Sequence, residues 1–276
     1  MISSSVRLFA DDAIIYLTIE NHQHAQQLQD DLDKLGEWAS KWMMELNTQK
    51  CQVITISRKR NKIHHQYCLN NTPLTAVNST KYLGITITSD LKWNQHTSNI
   101  CQKANNTLAF LRRNLRINSP ELKATAYKAL VRPLVEYCST VWDPSTNKSI
   151  HQLEMVQRRA ARFTLNRYHN TSSVESMLSE LDWRSLQQRR ENFRLVTMYK
   201  LHNNLAHFNT ETYISQMAGP SRTVHSQGYY IPHSRTEHHR QSFFPRTARA
   251  WNILPVTTVT APSLEAFRHQ LTGGRI

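Results

Sequence analysis

The sequence has no apolar run long enough to cross a bilayer, and its mean hydropathy is −0.57. A transmembrane helix needs about 20 consecutive apolar residues, so a membrane-spanning protein is not expected. Met1-Ile2-Ser3-Ser4-Ser5 lacks the cationic stretch and greasy segment of a secretory leader. The four cysteines, Cys51, Cys68, Cys101 and Cys138, lie far apart with no CxxC pair. Such spacing argues against a disulfide framework or a zinc ribbon and for reduced thiols, hence an intracellular setting, nucleus or cytoplasm. No repeat of fixed period and no low-complexity tract is visible. Histidine is plentiful, but its densest clusters, His64-His65 and His233 with His238-His239, lack companion cysteines and zinc-ligand spacing; they read as structural or solvated. Acidic residues are scarce after the first fifth of the chain. Residues 1–57 hold eight Asp/Glu against four Lys/Arg, and residues 58–276 hold twelve against thirty, giving −4 and +18. A basic remainder behind an acidic first segment suits a surface for a polyanion, nucleic acid foremost. The low hydropathy disfavours a basic membrane-surface protein.

Against this background one feature stands out, the adjacent acids Asp11 and Asp12. Residues 6–17 read as strand, tight turn, strand: Val6, Phe9, Ile14, Ile15 and Tyr16 favour strands, and Asp tolerates the unusual backbone angles of a hairpin tip. Two carboxylates on an apolar hairpin suit a hard cation such as Mg²⁺, which takes oxygen ligands and leaves room for phosphate. A solvated turn is the plainer alternative.

An amphipathic helix follows. Ala25, Leu28, Leu32, Leu35, Ala39, Trp42 and Leu46 recur at steps of three and four, with Asp30, Asp31, Asp33, Lys34, Glu37 and Lys41 on other faces. Residues 51–57 look like a short buried strand, and Arg58-Lys59-Arg60-Asn61-Lys62 like a basic turn. Strands are expected around Tyr67-Cys68-Leu69 and Leu74, with the turn signal Asn70-Asn71-Thr72-Pro73 between them. Residues 81–87 form another β-rich run, with Gly84 marking a bend. From about residue 94 the period changes to 3.6. Ile100, Ala104, Leu108, Leu111 and Leu115 form one stripe, flanked by Lys103, Arg112, Arg113 and Arg116. Ser119-Pro120-Glu121 reads as a cap with proline at the first helical position. The next helix holds Leu122, Ala126, Ala129 and Leu130, and Pro133 must kink or end it. A helix over about 150–168 turns Leu153, Val156, Ala160 and Phe163 inward and Arg158, Arg159, Arg162 and Arg167 outward. Another over about 184–205 carries Arg189, Arg190 and Arg194. Beyond residue 206 the pattern loosens, with short helices near 247–254 and 263–271.

In this order the pieces resemble the second half of a reverse transcriptase from a non-LTR, LINE-type retrotransposon of the jockey or chicken-repeat kind. Phe9-Ala10-Asp11-Asp12 is similar to the family's aromatic-x-Asp-Asp metal motif. Leu46-Asn47 with Lys50 resembles the following motif, and Tyr82-Leu83-Gly84 the primer-grip hairpin. Asp182-Trp183, Arg189-Arg190, Phe243-Phe244-Pro245-Arg246-Thr247, Trp251-Asn252 and Leu254-Pro255 resemble segments found after the thumb. The resemblance implies an α+β fold: a partial right-hand polymerase palm of antiparallel strands plus helix over 1–92, an all-α thumb with connecting helices over 93–205, and a loosely ordered C-terminal region with short helices over 206–276. It implies Asp11 as a catalytic Mg²⁺ ligand with Asp12 as the second dyad acid, two ions in the complete family site, and Lys50 acting on departing pyrophosphate. It also implies RNA template, DNA primer and deoxynucleotides as partners, with Lys103, Arg112, Arg113, Arg116, Arg158, Arg159 and Arg162 as nucleic-acid contacts. The family carries a further catalytic aspartate upstream, on a separate palm strand, together with fingers. No acid precedes Asp11 here, so the expectation is a fragment that polymerises poorly or not at all alone. The competing expectation is a non-catalytic, basic RNA/DNA-binding remnant of such an element.

Overall fold

Alternating side chains in the first sixteen residues build a hairpin. The computed structural model describes residues 2–169, 171–206, 208–219 and 224–273. They form two compact units, Met1–His96 and Thr97–Ile276, of mixed α+β composition.

In the first unit β1 (Ser5–Phe9) pairs antiparallel with β2 (Asp12–Tyr16), with Phe9 opposite Asp12 and Ser5 opposite Tyr16. Period-two alternation puts Val6, Leu8, Ala13 and Ile15 on one face and Arg7, Phe9, Asp12, Ile14 and Tyr16 on the other. Ile15 packs against a core of Leu32, Tyr67, Leu69 and Leu74. Helix α1 (His22–Lys41) starts where the Asn21 side chain accepts from the His24 N–H at 2.9 Å. It buries Ala25, Leu32 and Ala39. The expected apolar stripe runs one turn too far: the helix stops at Lys41, Trp42 caps it while 63% exposed, and Met43 turns the chain away in a left-handed conformation.

The larger surprise on α1 is Asp31, which amphipathic reasoning put on a polar face. It is fully buried. Its Oδ2 accepts from the backbone N–H and the hydroxyl of both Ser3 and Ser4, at 2.7–3.0 Å, and Lys34 approaches Oδ1 at 3.0 Å. Burial alone pushes this carboxyl up; the Ser4 and Ser3 donors and Lys34 outweigh it and hold the group well below the usual carboxylate range. The physical reason is local: the chain entering β1 runs against α1 with donors that need an acceptor.

The remaining strands of this unit are β3 (Gln52–Ile54), β4 (Cys68–Leu69), β5 (Thr72–Pro73), β6 (Thr75–Val77), β7 (Ser79–Tyr82) and β8 (Ile85–Thr88). Residues 51–57 therefore yield only a three-residue, partly exposed strand rather than a buried one. Asn70 and Asn71 both adopt positive φ (50° and 60°) at the tip of the β4–β5 hairpin, the conformation that Asn tolerates. Gly36 of α1 lies against the Asn70 side chain, whose amide oxygen would have to swing aside for a Cβ at that position. Gln29 of α1 exchanges hydrogen bonds with the Cys68 backbone (2.8 and 3.0 Å), extending the helix–hairpin contact. The run at 81–87 folds back on itself at Leu83-Gly84, giving the antiparallel β7–β8 hairpin. Antiparallel pairing holds for three strand pairs, whereas β3 and β6 are parallel because the β4–β5 hairpin intervenes between them.

The second unit is helical. Helix α2 (Asn94–Asn114), whose first turn belongs to the preceding unit, buries Cys101, Ala104, Leu108 and Leu111, close to the expected stripe. Helix α3 (Pro120–Ala126) has the expected Ser119 cap, accepting from the Leu122 N–H at 3.3 Å. It then widens into a π turn (Tyr127–Val131) and tightens into a 3₁₀ turn (Arg132–Val135) around Pro133. The buried stripe is Lys123, Tyr127, Val131 and Val135; the expected Leu122 and Leu130 are each 53% exposed. A strict four-residue repeat exceeds the 3.6 of an α-helix, and the wide turn absorbs the difference.

The short helix α4 (Ser139–Trp142) precedes α5 (Asn147–Leu165), which buries Leu153, Val156, Ala160 and Phe163 as expected. Then come α6 (Val174–Glu180), α7 (Leu186–His202), α8 (Glu237–Arg240), α9 (Phe243–Ile253), α10 (Val256–Val259) and α11 (Leu264–Leu271). Residues 206–276, read from sequence as loosely ordered, pack Ile214, Tyr229, Trp251, Val259 and Phe267 against Leu195, Met198 and Tyr199 of α7. Part of that region, Pro220-Ser221 included, lies outside the described residues.

Candidate functional site

The β1–β2 tip places Asp11 and Asp12 at the exposed end of a two-stranded hairpin. Its left-handed residue is Ala10 (φ 52°) rather than either aspartate, so the dyad does not owe its position to the tolerance of Asp for unusual angles. Asp12 opens β2 opposite Phe9 and shares its face with Arg7 and Tyr16, whose ring lies 5.9 Å beneath the Arg7 guanidinium. Leu8 and Phe9 are 74% and 63% exposed. Asp31 fixes the base of this hairpin to α1, through the two serines that lead into β1.

Among the described residues no group of three or more His, Cys, Asp or Glu side chains is gathered around one point. Two adjacent exposed carboxylates match what a single Mg²⁺ takes from protein, since that ion keeps waters and phosphate oxygens in its remaining positions. They are too few for two ions. Lys50 is exposed in the turn before β3, its N–H donating to Asn47 O at 3.1 Å. No hydrogen bond or ion pair among the described residues joins Lys50 to the dyad. Two residues on, Gln52 accepts from the Thr80 hydroxyl at 2.8 Å and ties β3 to β7. Tyr82, Leu83 and Gly84 form the end of that β7–β8 hairpin.

In the second unit Lys103, Arg112, Arg113 and Arg116 are exposed along and just beyond α2. Arg112 and Arg113 lie in its last turn, where the carbonyl end of the helix favours cations. The α5 group is more engaged. Arg158 is 3.7 Å from Glu175, and Arg159 donates to Asn105 of α2 at 3.2 Å. Arg162 is half-buried. Arg167 makes a bidentate pair with Glu180.

Sequence periodicity did not locate a buried charge cluster in this unit. Among the described residues Asp143 ion-pairs with Arg190 (2.8 Å), Arg194 (3.0 Å) and Arg246 (3.3 Å), and its carbonyl accepts from Arg246 at 3.0 Å. Arg190 is wholly buried. Glu136 pairs with Arg189 in the same region. Trp183 stacks on Tyr127 with centroids 4.4 Å apart, and Asn252 exchanges two hydrogen bonds with the Tyr229 backbone. Several tail segments picked out by the resemblance thus contribute the internal fastenings of this unit. The weak periodicity of α7, which buries Arg190 and Arg194 beside Leu195, was the only available signal.

Residues 2–87, which contain the dyad, Lys50 and the 82–84 tip, match the family described as reverse transcriptase (RNA-dependent DNA polymerase). This segment of the chain is therefore similar to reverse transcriptases. The chain is similar to the probable RNA-directed DNA polymerase from transposon X-element of Drosophila melanogaster, 26% identical over 58% of this chain and 18% of that protein. It is also similar to the probable RNA-directed DNA polymerase from transposon BS of Drosophila melanogaster (26%, over 62% and 21%). The RNA-directed DNA polymerase from mobile element jockey of the same species gives 24% identity over 57% and 18%. The resemblance to reverse transcriptases of non-LTR elements holds. The chain spans about a fifth of the length of these relatives. No solved structure matches it significantly. Among the described residues no helix is long and apolar enough to cross a membrane.

Proposed function

We propose that this chain is the later part of the palm, with the thumb, of an RNA-directed DNA polymerase of a non-LTR mobile element, and that it is incomplete as a catalyst on its own. The observation that carries the reading is the Asp11-Asp12 dyad at the tip of an antiparallel hairpin, inside the segment that matches the reverse-transcriptase family. When bound, divalent cations in such a site activate the primer 3′-hydroxyl and neutralise the leaving pyrophosphate. Asp11 would hold the metal and Asp12 would supply the second carboxylate. Lys50 would protonate the departing group or neutralise its charge, and the 82–84 tip would steady the primer end. The exposed cations of α2, with those of α5 still free of acids, would contact the backbone of an RNA template paired with a DNA primer.

The test joins this chain to the upstream part of a relative such as the jockey polymerase and follows primer extension on RNA with Mg²⁺. Extension is expected and Asp11→Asn should abolish it, because the metal-holding charge goes while the side-chain shape stays. Lys50→Ala should slow it by about 10²–10⁴-fold, the usual range for a proton donor. Unchanged extension in Asp11→Asn would remove Asp11 from the site. The isolated chain should incorporate nucleotides negligibly, and robust Asp11-dependent incorporation by it would refute incompleteness. The lack of a third acid beside the dyad among the described residues favours one further reading, a basic RNA/DNA-binding remnant. Duplex binding without extension, even after the upstream part is restored, would select it.

A further inference from the structure

A concave site of about 340 Å³ lies in the second unit, between the end of α2, the start of α3 and the end of α5. Its charged lining is entirely cationic: Arg112, Arg116 and Lys123, with no acid among the lining residues. Lys123 is only 8% exposed, and its ammonium sits 5.2 Å above the Phe163 ring. Among the described residues it makes no ion pair. With no carboxylate among the lining residues, an anion in the cavity meets only positive charge there. Asn166 ends α5 in a left-handed conformation (φ 55°). The chain beyond it carries Tyr168 to the cavity wall, where Arg112 lies 5.4 Å over its ring. The volume falls at the low end for small-ligand sites, too small for a duplex but adequate for one nucleotide.

We propose that this cavity seats one nucleotide of a single strand, its phosphate at Lys123 and Arg116 and its base stacked at the Tyr168–Arg112 pair. The proposal rests on the nucleic-acid-binding reading above and narrows it to a place and a ligand form. A phosphate is the anion of choice because guanidinium and ammonium donors converge without a competing carboxylate. An unstacked base is the fitting partner because an exposed aromatic ring beside a guanidinium stacks with a base whose face is free, as in a single strand.

The experiment measures binding of the full chain to a 5′-phosphorylated single-stranded oligothymidylate, to its 5′-hydroxyl counterpart and to a blunt duplex, with inorganic phosphate as competitor. Lys123→Met should raise the single-strand Kd by about tenfold or more, as expected for losing a charged hydrogen bond. Tyr168→Ala should raise it by a similar factor through lost stacking. Both should leave duplex affinity nearly unchanged, and Lys123→Arg should retain single-strand binding. If Lys123→Met does not fold, the exposed Tyr168 variant and Lys123→Arg carry the test. Parent-like single-strand affinity in folded Lys123→Met and Tyr168→Ala would overturn the proposal. So would competition by inorganic phosphate as strong as by the strand itself, which would assign the site to free phosphate. Duplex binding without single-strand binding would overturn this proposal alone, whereas no binding to either would overturn the broader reading as well.

Discussion

Replacing Asp31 by alanine should release the β1–β2 hairpin from the helix behind it. Of the four donors that meet its Oδ2, the two on Ser3 can turn to solvent, while those on Ser4 are buried with it. Leaving a buried donor unsatisfied costs about 1–3 kcal/mol, so the Ser4 N–H and hydroxyl together set a cost of about 2–6 kcal/mol. Even the lower bound corresponds to roughly thirtyfold faster opening. Amide hydrogen exchange read on peptides covering residues 3–16 isolates this segment from the second unit. Asp31→Ala should accelerate exchange there by at least about thirtyfold, and Lys34→Met by far less, since Lys34 is 46% exposed. Folded Asp31 gives up its proton more readily than an unfolded aspartate, because its hydrogen bonds overcome the effect of burial. Its stabilisation is therefore full above the ordinary value of about 3.9 and drains away as pH falls through the lower folded value. Asp31→Asn should flatten that acid limb. Parent-like protection of residues 3–16 in Asp31→Ala at neutral pH would refute the anchoring argument.

Three further outcomes follow from the second unit. Asp143→Ala leaves the buried Arg190 and Arg194 without a counter-charge, and urea unfolding monitored on this unit should show a loss of about 3–5 kcal/mol; a loss below about 1 kcal/mol would mean that water already serves these groups. Burial, then the neighbouring His225, lowers the His202 pKa, so its contribution is present above the ordinary histidine value of about 6.5 and fades as pH drops through the depressed folded value. The thermal midpoint should fall on acidification toward pH 5, and His202→Gln should lessen the pH slope; an equal slope in that variant would assign it elsewhere. Arg112→Ala combined with Arg113→Ala should weaken duplex binding across unrelated sequences and lower the log–log salt slope by about 0.9 per lost contact on B-form DNA, and an unchanged slope would show that neither reaches a phosphate.

Most of the elements were legible because local chemistry specifies them. Ser119-Pro120, Asn70-Asn71 and the leucine stripe of α2 act within a few residues of themselves, and the structure bears each of them out. The fastenings were not legible, because they join residues distant in sequence: Asp31 with Ser3 and Ser4, Asp143 with Arg246, Tyr199 with Ala261. Binary patterning treats every charge as a surface marker, so buried Asp31, Lys123 and Arg190 were read as solvated or passed over. The π turn defeated the stripe at 122–130 for a similar reason, since a 3.6-residue template selects the wrong face once the repeat becomes four. The dyad was visible at once, yet its support is a helix acid twenty positions away that no motif includes.

The Asp143 cluster alters the meaning of the formal charge of +14. Three guanidiniums share one carboxylate there, and two of them, Arg190 and Arg194, are buried. They add to the long-range field of the protein but can touch no ligand, and Arg167 and Arg189 are matched to glutamates beside them. Retention on a cation exchanger reports the field and should track the full arithmetic of the sequence. The number of ions displaced when a polynucleotide docks reports only side chains that reach a phosphate, and it should come out well below the value that composition suggests.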